Sequence, residues 1–121
     1  MKDVDICFVI GAPKCGTTKL VSDLSRLPDV SVTEPKEINF FSHSDLDSRR
    51  LYYNEYRCRS EKEYLESFQN KKKSILRCDG SVSYFDSANA CAAIKKTYPC
   101  AKIIIILRDP VERAKSHYAK D

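Results

Sequence analysis

The sequence predicts an α/β fold in which helices cover both faces of a central parallel β-sheet. Three observations lead to this prediction. Short apolar runs that resemble strands alternate along the chain with segments of helical spacing. A glycine-containing loop joins the first of these runs to the first helix. Polar clusters follow three of the apolar runs, and ligands of parallel sheets bind beyond the carboxyl ends of the strands.

The clearest unit is the first strand with its loop and helix. Residues 4–10 read VDICFVI, an apolar run that ends at Gly11 and predicts a buried strand. A helix is predicted to begin at Thr17 or Thr18, because apolar side chains then recur at helical spacing until Pro28. This order of strand, loop and helix is the context that a phosphate-binding loop requires.

The later elements continue the alternation. Further strands are predicted at residues 30–32, 74–78 and 102–107. Further helices are predicted at about residues 48–56, 61–68 and 86–98, and from Pro110 to the end of the chain. A length of 121 residues is enough to build one hydrophobic core, so residues 1–121 are expected to form a single domain.

Composition excludes several classes of protein. The net charge of +4 suits a small anionic ligand and is too weak to indicate nucleic-acid binding. No apolar run approaches the roughly 20 residues that span a bilayer, so no membrane segment is expected. The cysteines form no C-x-x-C pair, so no metal site is expected. A disulfide between Cys91 and Cys100, or between Cys58 and Cys78, stays open for an oxidising compartment.

The loop GAPKCGTT resembles a nucleotide-binding loop whose lysine has moved. Gly11 and Gly16 have the usual spacing, but Thr17 stands where that loop has its lysine, and the loop lysine is Lys14. Backbone amides at the start of a helix point toward an anion, and the hydroxyls of Thr17 and Thr18 add donors. We therefore expect the loop to bind a phosphate-like group without the usual P-loop lysine.

A second anion site is predicted after the last apolar strand. Arg108 follows that strand directly, and Ser116 lies further along, on the helix predicted from Pro110. A guanidinium and a hydroxyl that converge on one phosphate make a sensible anion site. Two separate sites suggest a ligand that is phosphorylated at two places.

Glu37 is the candidate general base. It lies in the segment TEPKEINFF, after the second strand and before Phe40 and Phe41. Partial burial beside this aromatic pair would raise the affinity of its carboxylate for a proton, as a general base needs.

Four segments carry a resemblance to a known family. FVIGAPKCGTTKL, PKEINFF, DGSVSYF and IILRDPVERAKSHY resemble, in this order, motifs of the sulfotransferases that use 3′-phosphoadenosine 5′-phosphosulfate (PAPS). The similarity is strongest to the carbohydrate type related to heparan sulfate sulfotransferases. It implies a P-loop-type three-layer fold and transfer of a sulfuryl group from PAPS to a hydroxyl or amine of an acceptor, with a glycan as the expected acceptor. It implies no metal and no nucleic-acid partner.

The resemblance also assigns roles to individual residues. It implies that the 5′-phosphosulfate is bound by Lys14, Cys15, Gly16, Thr17 and Thr18, and the 3′-phosphate by Arg108 and Ser116. Glu37 would take the proton from the acceptor. Lys14 would stabilise the charge on the departing phosphate oxygen.

The sequence departs from the family pattern at three places. Gly80 stands where the family has a lysine, and Asn39 where a histidine is common. Relatives continue well beyond Asp121, so the chain is expected to be the N-terminal portion of a domain, with an incomplete sheet. A longer chain would belong in the Golgi lumen and a complete one in the cytoplasm. A non-catalytic nucleotide-binding remnant remains open as an alternative, as does a P-loop kinase or NTPase that uses Asp109 to hold a metal.

Overall fold

The structure, a computed structural model, describes residues 5–12, 15–48 and 56–107. Its strands are β1 (Asp5–Gly11), β2 (Val30–Val32), β3 (Leu76–Asp79) and β4 (Lys102–Ile105). Its α-helices are α1 (Thr17–Ser25), α2 (His43–Ser48), α3 (Glu61–Glu66) and α4 (Ala88–Thr97). A 3₁₀ helix (Val82–Asp86) lies between β3 and α4.

The described strands form one parallel sheet in the order β2-β3-β1-β4. Cys7 of β1 lies opposite Cys78 of β3 and Lys102 of β4, which defines the register of the two strand pairs that β1 forms. This arrangement confirms the predicted α/β fold with a central parallel sheet. It also brings the carboxyl ends of all four strands to one edge of the sheet.

Alternating residues of β1 supply the cores on the two faces of the sheet. Ile6, Phe8 and Ile10 pack with the aromatic and α4 side chains on one face. Cys7 and Val9 pack with α1 and β2 side chains on the other. The period-two alternation of a strand explains why one continuous apolar run serves two cores.

Several predicted boundaries move in the structure. The structure has a helix at His43–Ser48, in front of the helix predicted at about residues 48–56. Residues 49–55 lie outside the described part of the chain. β3 begins at Leu76 rather than at residue 74. α4 begins after Ser87, whose hydroxyl accepts a hydrogen bond of 3.1 Å from the Ala90 amide and so caps the helix.

β4 forms an edge of the sheet within the described residues. The side chains of Ile103, Ile104 and Ile105 are 48%, 36% and 47% exposed. The helix predicted from Pro110 lies outside the described residues.

Candidate functional site

The segments that follow the strands meet at the carboxyl edge of the sheet. β1 leads into the glycine loop, β2 into the segment that carries Glu37, and β3 into the turn at Gly80. Ala12 donates a hydrogen bond of 2.9 Å to the carbonyl of Ile106, and Ile106 donates one of 2.7 Å to the carbonyl of Gly11. These two bonds bring the chain just beyond β4 next to the loop that follows β1.

The loop after β1 has the backbone geometry of an anion site. Gly16 has a φ of 92° and precedes the first residue of α1. Such a positive φ favours glycine. No side chain caps the start of α1, and its first turn holds no acidic residue. The first amides of α1 are therefore free of side-chain capping, as an anion-binding helix start requires.

Glycine is also needed at Gly11, where β1 ends. A Cβ built there would lie 2.7 Å from Cδ2 of Phe85. The sequence suggested this position through its loop spacing, and the structure adds close packing against an aromatic ring as the physical reason.

The other predicted loop residues differ in their exposure. Cys15 and Thr17 are buried, whereas Thr18 is exposed. The Cys15 amide donates a hydrogen bond of 3.1 Å to the carbonyl of Ala12, which tightens the loop. Lys14, Arg108 and Ser116 lie outside the described residues, so their predicted roles stay predictions.

Two partners hold the carboxylate of Glu37. Its Oε1 lies 2.6 Å from the ammonium of Lys36, and its Oε2 accepts a hydrogen bond of 3.0 Å from the Val82 amide. The side chain is 40% exposed. The side chain is thus partly buried, as predicted, but an ammonium and an amide engage its two oxygens. The two contacts fix the orientation of the carboxylate.

Lys36 is a site residue that the sequence reasoning missed. Besides its contact with Glu37, its ammonium donates a hydrogen bond of 2.9 Å to the carbonyl of Gly80. The side chains of Lys36 and Glu37 therefore bind both ends of the turn of residues 80–82, Lys36 at the carbonyl of Gly80 and Glu37 at the amide of Val82. The sequence feature that could have indicated this role is the position of Lys36 directly before Glu37.

Gly80 lies at a close approach between this turn and α1. A Cβ at Gly80 would lie 2.7 Å from Cγ2 of Val21, a buried β-branched side chain of α1, and 3.4 Å from Cγ of Lys36. The position where the family has a lysine is thus packed in this chain, and Lys36 places its ammonium on the carbonyl of the same residue.

Substitution of Gly80 tests this packing. Gly80→Ala is expected to lower the free energy of unfolding by about 1–3 kcal/mol, because the new methyl group overpacks against Val21. Chemical denaturation measures the change. The variant Val21→Ala provides the room that the methyl group lacks, so the double variant is expected to lose less stability than the two single variants together. Strictly additive losses would contradict the contact.

A fully buried carboxylate, Asp79, lies at the end of β3. Its Oδ1 accepts hydrogen bonds from the Ser81 hydroxyl at 2.7 Å and the Ser81 amide at 3.1 Å. Its Oδ2 accepts from the hydroxyls of Tyr64 and Tyr84, both at 2.8 Å. Four donors around one carboxylate make a complete acceptor environment for the ionised form. The sequence analysis did not single out this residue.

The burial of Asp79 has a cost in stability. Burial raises the pKa of this carboxyl to about 6, against the opposing effect of the hydrogen bonds from Ser81, Tyr64 and Tyr84. Because the pKa is higher in the folded chain than in the unfolded chain, this group lowers stability as pH rises from about 4 to about 6, and the loss is complete above that range. At neutral pH the cost is about 3 kcal/mol.

Asn39 orders the segment after Glu37. It is buried and has a φ of 53°, a conformation that asparagine tolerates better than most residues. Its side-chain amide donates a hydrogen bond of 2.8 Å to the carbonyl of Tyr56. Its Oδ1 accepts one of 2.6 Å from the Ser83 hydroxyl. Asn39 is thus a structural residue that joins three segments in this chain.

A groove of about 260 Å³ lies beside Lys36 on the face of α1. Its lining includes the hydroxyl residues Thr18, Ser22 and Thr33, together with Glu34. The groove brings the exposed start of α1 and the segment before Glu37 into one surface. The apolar side chains of Val21 and Val32 line the groove as well.

Three features are absent from residues 5–12, 15–48 and 56–107. None of their histidine, cysteine, aspartate and glutamate side chains forms a cluster of three or more that could hold a metal ion. None of the helices among them has the length and apolar character to cross a bilayer. All six cysteines lie in described segments and are free thiols, so neither possible disulfide is formed.

Comparisons with known proteins agree with this geometry. Residues 7–121 match the family described as "Sulfotransferase family". The chain is 32% identical over 111 residues to the membrane-associated sulfotransferase kil1 of Dictyostelium discoideum. It is 30% identical over 122 residues to the bifunctional heparan sulfate N-deacetylase/N-sulfotransferase 1 of Caenorhabditis briggsae. The crystal structure of a sulfotransferase from Alicyclobacillus acidocaldarius superposes with a TM-score of 0.81 at 34% identity.

The chain corresponds to a part of each of these proteins. The matches cover 92% and 97% of this chain but 22% and 13% of the Dictyostelium and Caenorhabditis proteins. The superposition covers 97% of this chain and 49% of the bacterial one.

Proposed function

The chain belongs to the sulfotransferase family, and from this we propose that it contributes the donor site and the general base of a PAPS-dependent sulfotransferase. The reaction would move the sulfuryl group of PAPS to a hydroxyl or amine of an acceptor, with a carbohydrate as the acceptor class. The observation that carries the proposal is the meeting of the glycine loop and the Glu37 segment at the carboxyl edge of the sheet. The names of the Dictyostelium and Caenorhabditis relatives, both sulfotransferases, support the proposal.

The residues of the glycine loop fit the 5′-phosphosulfate of PAPS. The amides at the start of α1 carry no side-chain cap, and Gly16 allows the backbone to turn toward the ligand. We assign Lys14, Cys15, Gly16, Thr17 and Thr18 to this group. Thr18 is exposed at the start of α1 and can offer its hydroxyl.

The 3′-phosphate is assigned to Arg108 and Ser116. The hydrogen bonds between Ile106 and the chain at Gly11 and Ala12 support this assignment, because they bring the end of the fourth strand beside the glycine loop. A guanidinium suits a phosphate through paired, charge-assisted hydrogen bonds.

Glu37 and Lys14 carry the proposed chemistry. Glu37 takes the proton from the attacking hydroxyl or amine as the new bond to sulfur forms. The bond between sulfur and the phosphate oxygen breaks, and Lys14 stabilises the charge left on that oxygen. The products are the sulfated acceptor and adenosine 3′,5′-bisphosphate. Lys36 and the Val82 amide hold the Glu37 carboxylate in a fixed orientation.

The acceptor class rests on the named relatives. One of them is a heparan sulfate N-deacetylase/N-sulfotransferase. We therefore propose a glycan acceptor for this chain.

A transfer assay tests the proposed function. The chain is incubated with PAPS labelled in its sulfuryl group and with a glycan that offers free amines and hydroxyls, a tyrosine peptide or a simple phenol. Label is expected on the glycan. Lys14→Ala should lower the rate by at least about a hundredfold, since it removes the charge opposite the leaving oxygen. Lys19→Ala changes an exposed lysine of α1 that pairs with Asp23, and should leave the rate unchanged.

Other outcomes separate the alternatives. Transfer to the peptide or the phenol alone would contradict the proposed glycan acceptor but would still support sulfotransferase activity. A folded chain that transfers nothing would contradict catalysis by this chain and support a nucleotide-binding remnant. Hydrolysis of ATP with Mg²⁺ would identify an NTPase.

A further inference from the structure

The buried carboxylate of Asp79 is connected to the segment that carries Glu37 through two hydroxyl groups. The Ser81 hydroxyl donates to Asp79 and accepts a hydrogen bond of 3.0 Å from the Asn39 amide. The Tyr84 hydroxyl also donates to Asp79, and it accepts a hydrogen bond of 3.3 Å from the Phe41 amide. Two parallel connections of the type carboxylate–hydroxyl–amide therefore join the end of β3 to the backbone just after Glu37.

The direction of these hydrogen bonds follows from the chemistry of the groups. A backbone amide can only donate, and a hydroxyl has a single proton. Because the hydroxyls of Ser81 and Tyr84 accept from amides, each can give its proton to Asp79, whose ionised carboxylate only accepts. A neutral side chain of the same shape would bring its own donors to these hydroxyls, and at least one contact would be lost. The ionised Asp79 therefore fixes the orientation of both hydroxyls.

The same turn also holds the carboxylate of Glu37. Val82, the residue after Ser81, donates its amide to Oε2 of Glu37 at 3.0 Å. Asp79 thus fixes Ser81, and through the turn it fixes the amide that orients Glu37. Neither Asp79 nor the two hydroxyl residues is exposed enough to meet a ligand: Asp79 and Ser81 are fully buried, as is Tyr84.

We propose that Asp79 is a positioning residue for the general base, acting through the hydroxyls of Ser81 and Tyr84 on the backbone of residues 37–41. The inference rests on the proposed role of Glu37 as that base. It explains why the chain keeps an ionisable group, fully enclosed by hydrogen-bond donors, beside the site. A purely apolar side chain would leave the donors of Ser81, Tyr64 and Tyr84 without an acceptor.

Two tyrosines provide a matched pair of variants for the test. Tyr64 and Tyr84 are both buried, and both donate to Oδ2 of Asp79 at 2.8 Å. Tyr84 also accepts from the Phe41 amide, whereas the described contacts of the Tyr64 hydroxyl end at Asp79. Tyr64→Phe and Tyr84→Phe therefore remove the same hydrogen bond to Asp79 and differ in the connection to the Glu37 segment. Asp79→Asn is less informative, because it can prevent folding.

The first measurement is amide hydrogen exchange by NMR, which needs no catalysis. Tyr84→Phe is expected to speed exchange of the Phe41 amide about five- to tenfold beyond any change in global stability. Ser81→Ala should do the same to the Asn39 amide. Tyr64→Phe should change the exchange rates of the Phe41 and Asn39 amides only as much as its effect on global stability requires. Equal effects of the two tyrosine variants on the Phe41 amide would overturn the proposal, whether or not the chain transfers sulfuryl groups.

The second measurement is steady-state transfer by the same variants. Tyr84→Phe and Ser81→Ala should lower kcat at least about fivefold more than Tyr64→Phe does, with the affinity for adenosine 3′,5′-bisphosphate unchanged in all three. That separation of kcat from donor affinity is what a positioning role predicts, and a general loss of structure would lower both. If exchange behaves as expected while the wild-type chain transfers nothing, the network stands and the proposed function fails. Equal kcat values for the tyrosine variants of an active chain would overturn the positioning role.

Discussion

Replacement of Glu37 by glutamine is expected to lower kcat for sulfuryl transfer by about 10²- to 10⁴-fold, the usual contribution of a general base. An amide cannot take the proton from the acceptor. The glutamine keeps the size of the side chain and an oxygen that can accept the hydrogen bond from the Val82 amide. Because the partly exposed ion pair with Lys36 is lost, we expect the free energy of unfolding to fall by about 1 kcal/mol or less and the donor affinity to change little. The measurement is a transfer rate at saturating donor and acceptor.

Glu34→Gln is the matched control for this prediction. Glu34 is an exposed carboxylate in the same segment, three residues before Glu37 in the sequence. Removal of its charge changes the local electrostatics by the same amount without touching the proposed base. A Glu37→Gln variant with more than about a tenth of the wild-type kcat would contradict the assignment. Equal losses in the two variants would point to local charge rather than proton transfer.

The parallel sheet was predictable because its strands carry strong local signals. Residues 4–10 form an apolar run that ends at Gly11, and β1 lies there. The short segment VSV, two residues after Pro28, forms β2. Strands buried on both faces need such runs whatever the rest of the chain does. α2 was not predicted because its sequence, HSDLDS, has one buried residue, Leu46, and hence no helical periodicity to detect.

The polar network behind Glu37 was not predictable in the same way. Asp79 receives hydrogen bonds from Tyr64 and Tyr84, which come from α3 and the 3₁₀ helix. An aspartate beside a glycine usually indicates an exposed turn, and its burial depends on how distant elements pack. The segment DGSVSYF marked the region through its family resemblance, but the roles of its side chains follow only from the tertiary contacts.

The environment of Glu37 shows the same limit. Its position after β2 was predicted from the sequence, whereas its partners were not. The contact with Lys36 depends on the rotamers of two adjacent side chains, and the contact with Val82 depends on the conformation of the turn after β3. Neither can be derived from the sequence pattern. The sequence therefore indicated the candidate base but not the ammonium and the amide that engage its carboxylate.

Arg108→Ala is the second substitution with a large expected effect. Loss of charge-assisted hydrogen bonds to the 3′-phosphate should weaken the binding of adenosine 3′,5′-bisphosphate by about 10- to 100-fold. Arg26→Ala is the matched control, since Arg26 is an exposed arginine at the far end of α1 from the glycine loop. It should leave the affinity unchanged. Equal affinities of the Arg108→Ala and wild-type chains would remove Arg108 from the proposed donor site.

Calorimetric titration of the folded chain with adenosine 3′,5′-bisphosphate tests the central claim most directly, because that claim is a donor site with two separate anion-binding parts. The account predicts one site per chain that prefers this ligand to 5′-AMP and to ATP with Mg²⁺, with the preference over 5′-AMP lost in Arg108→Ala and kept in Arg26→Ala. A folded chain that does not bind the ligand, or that binds 5′-AMP equally well, would contradict it.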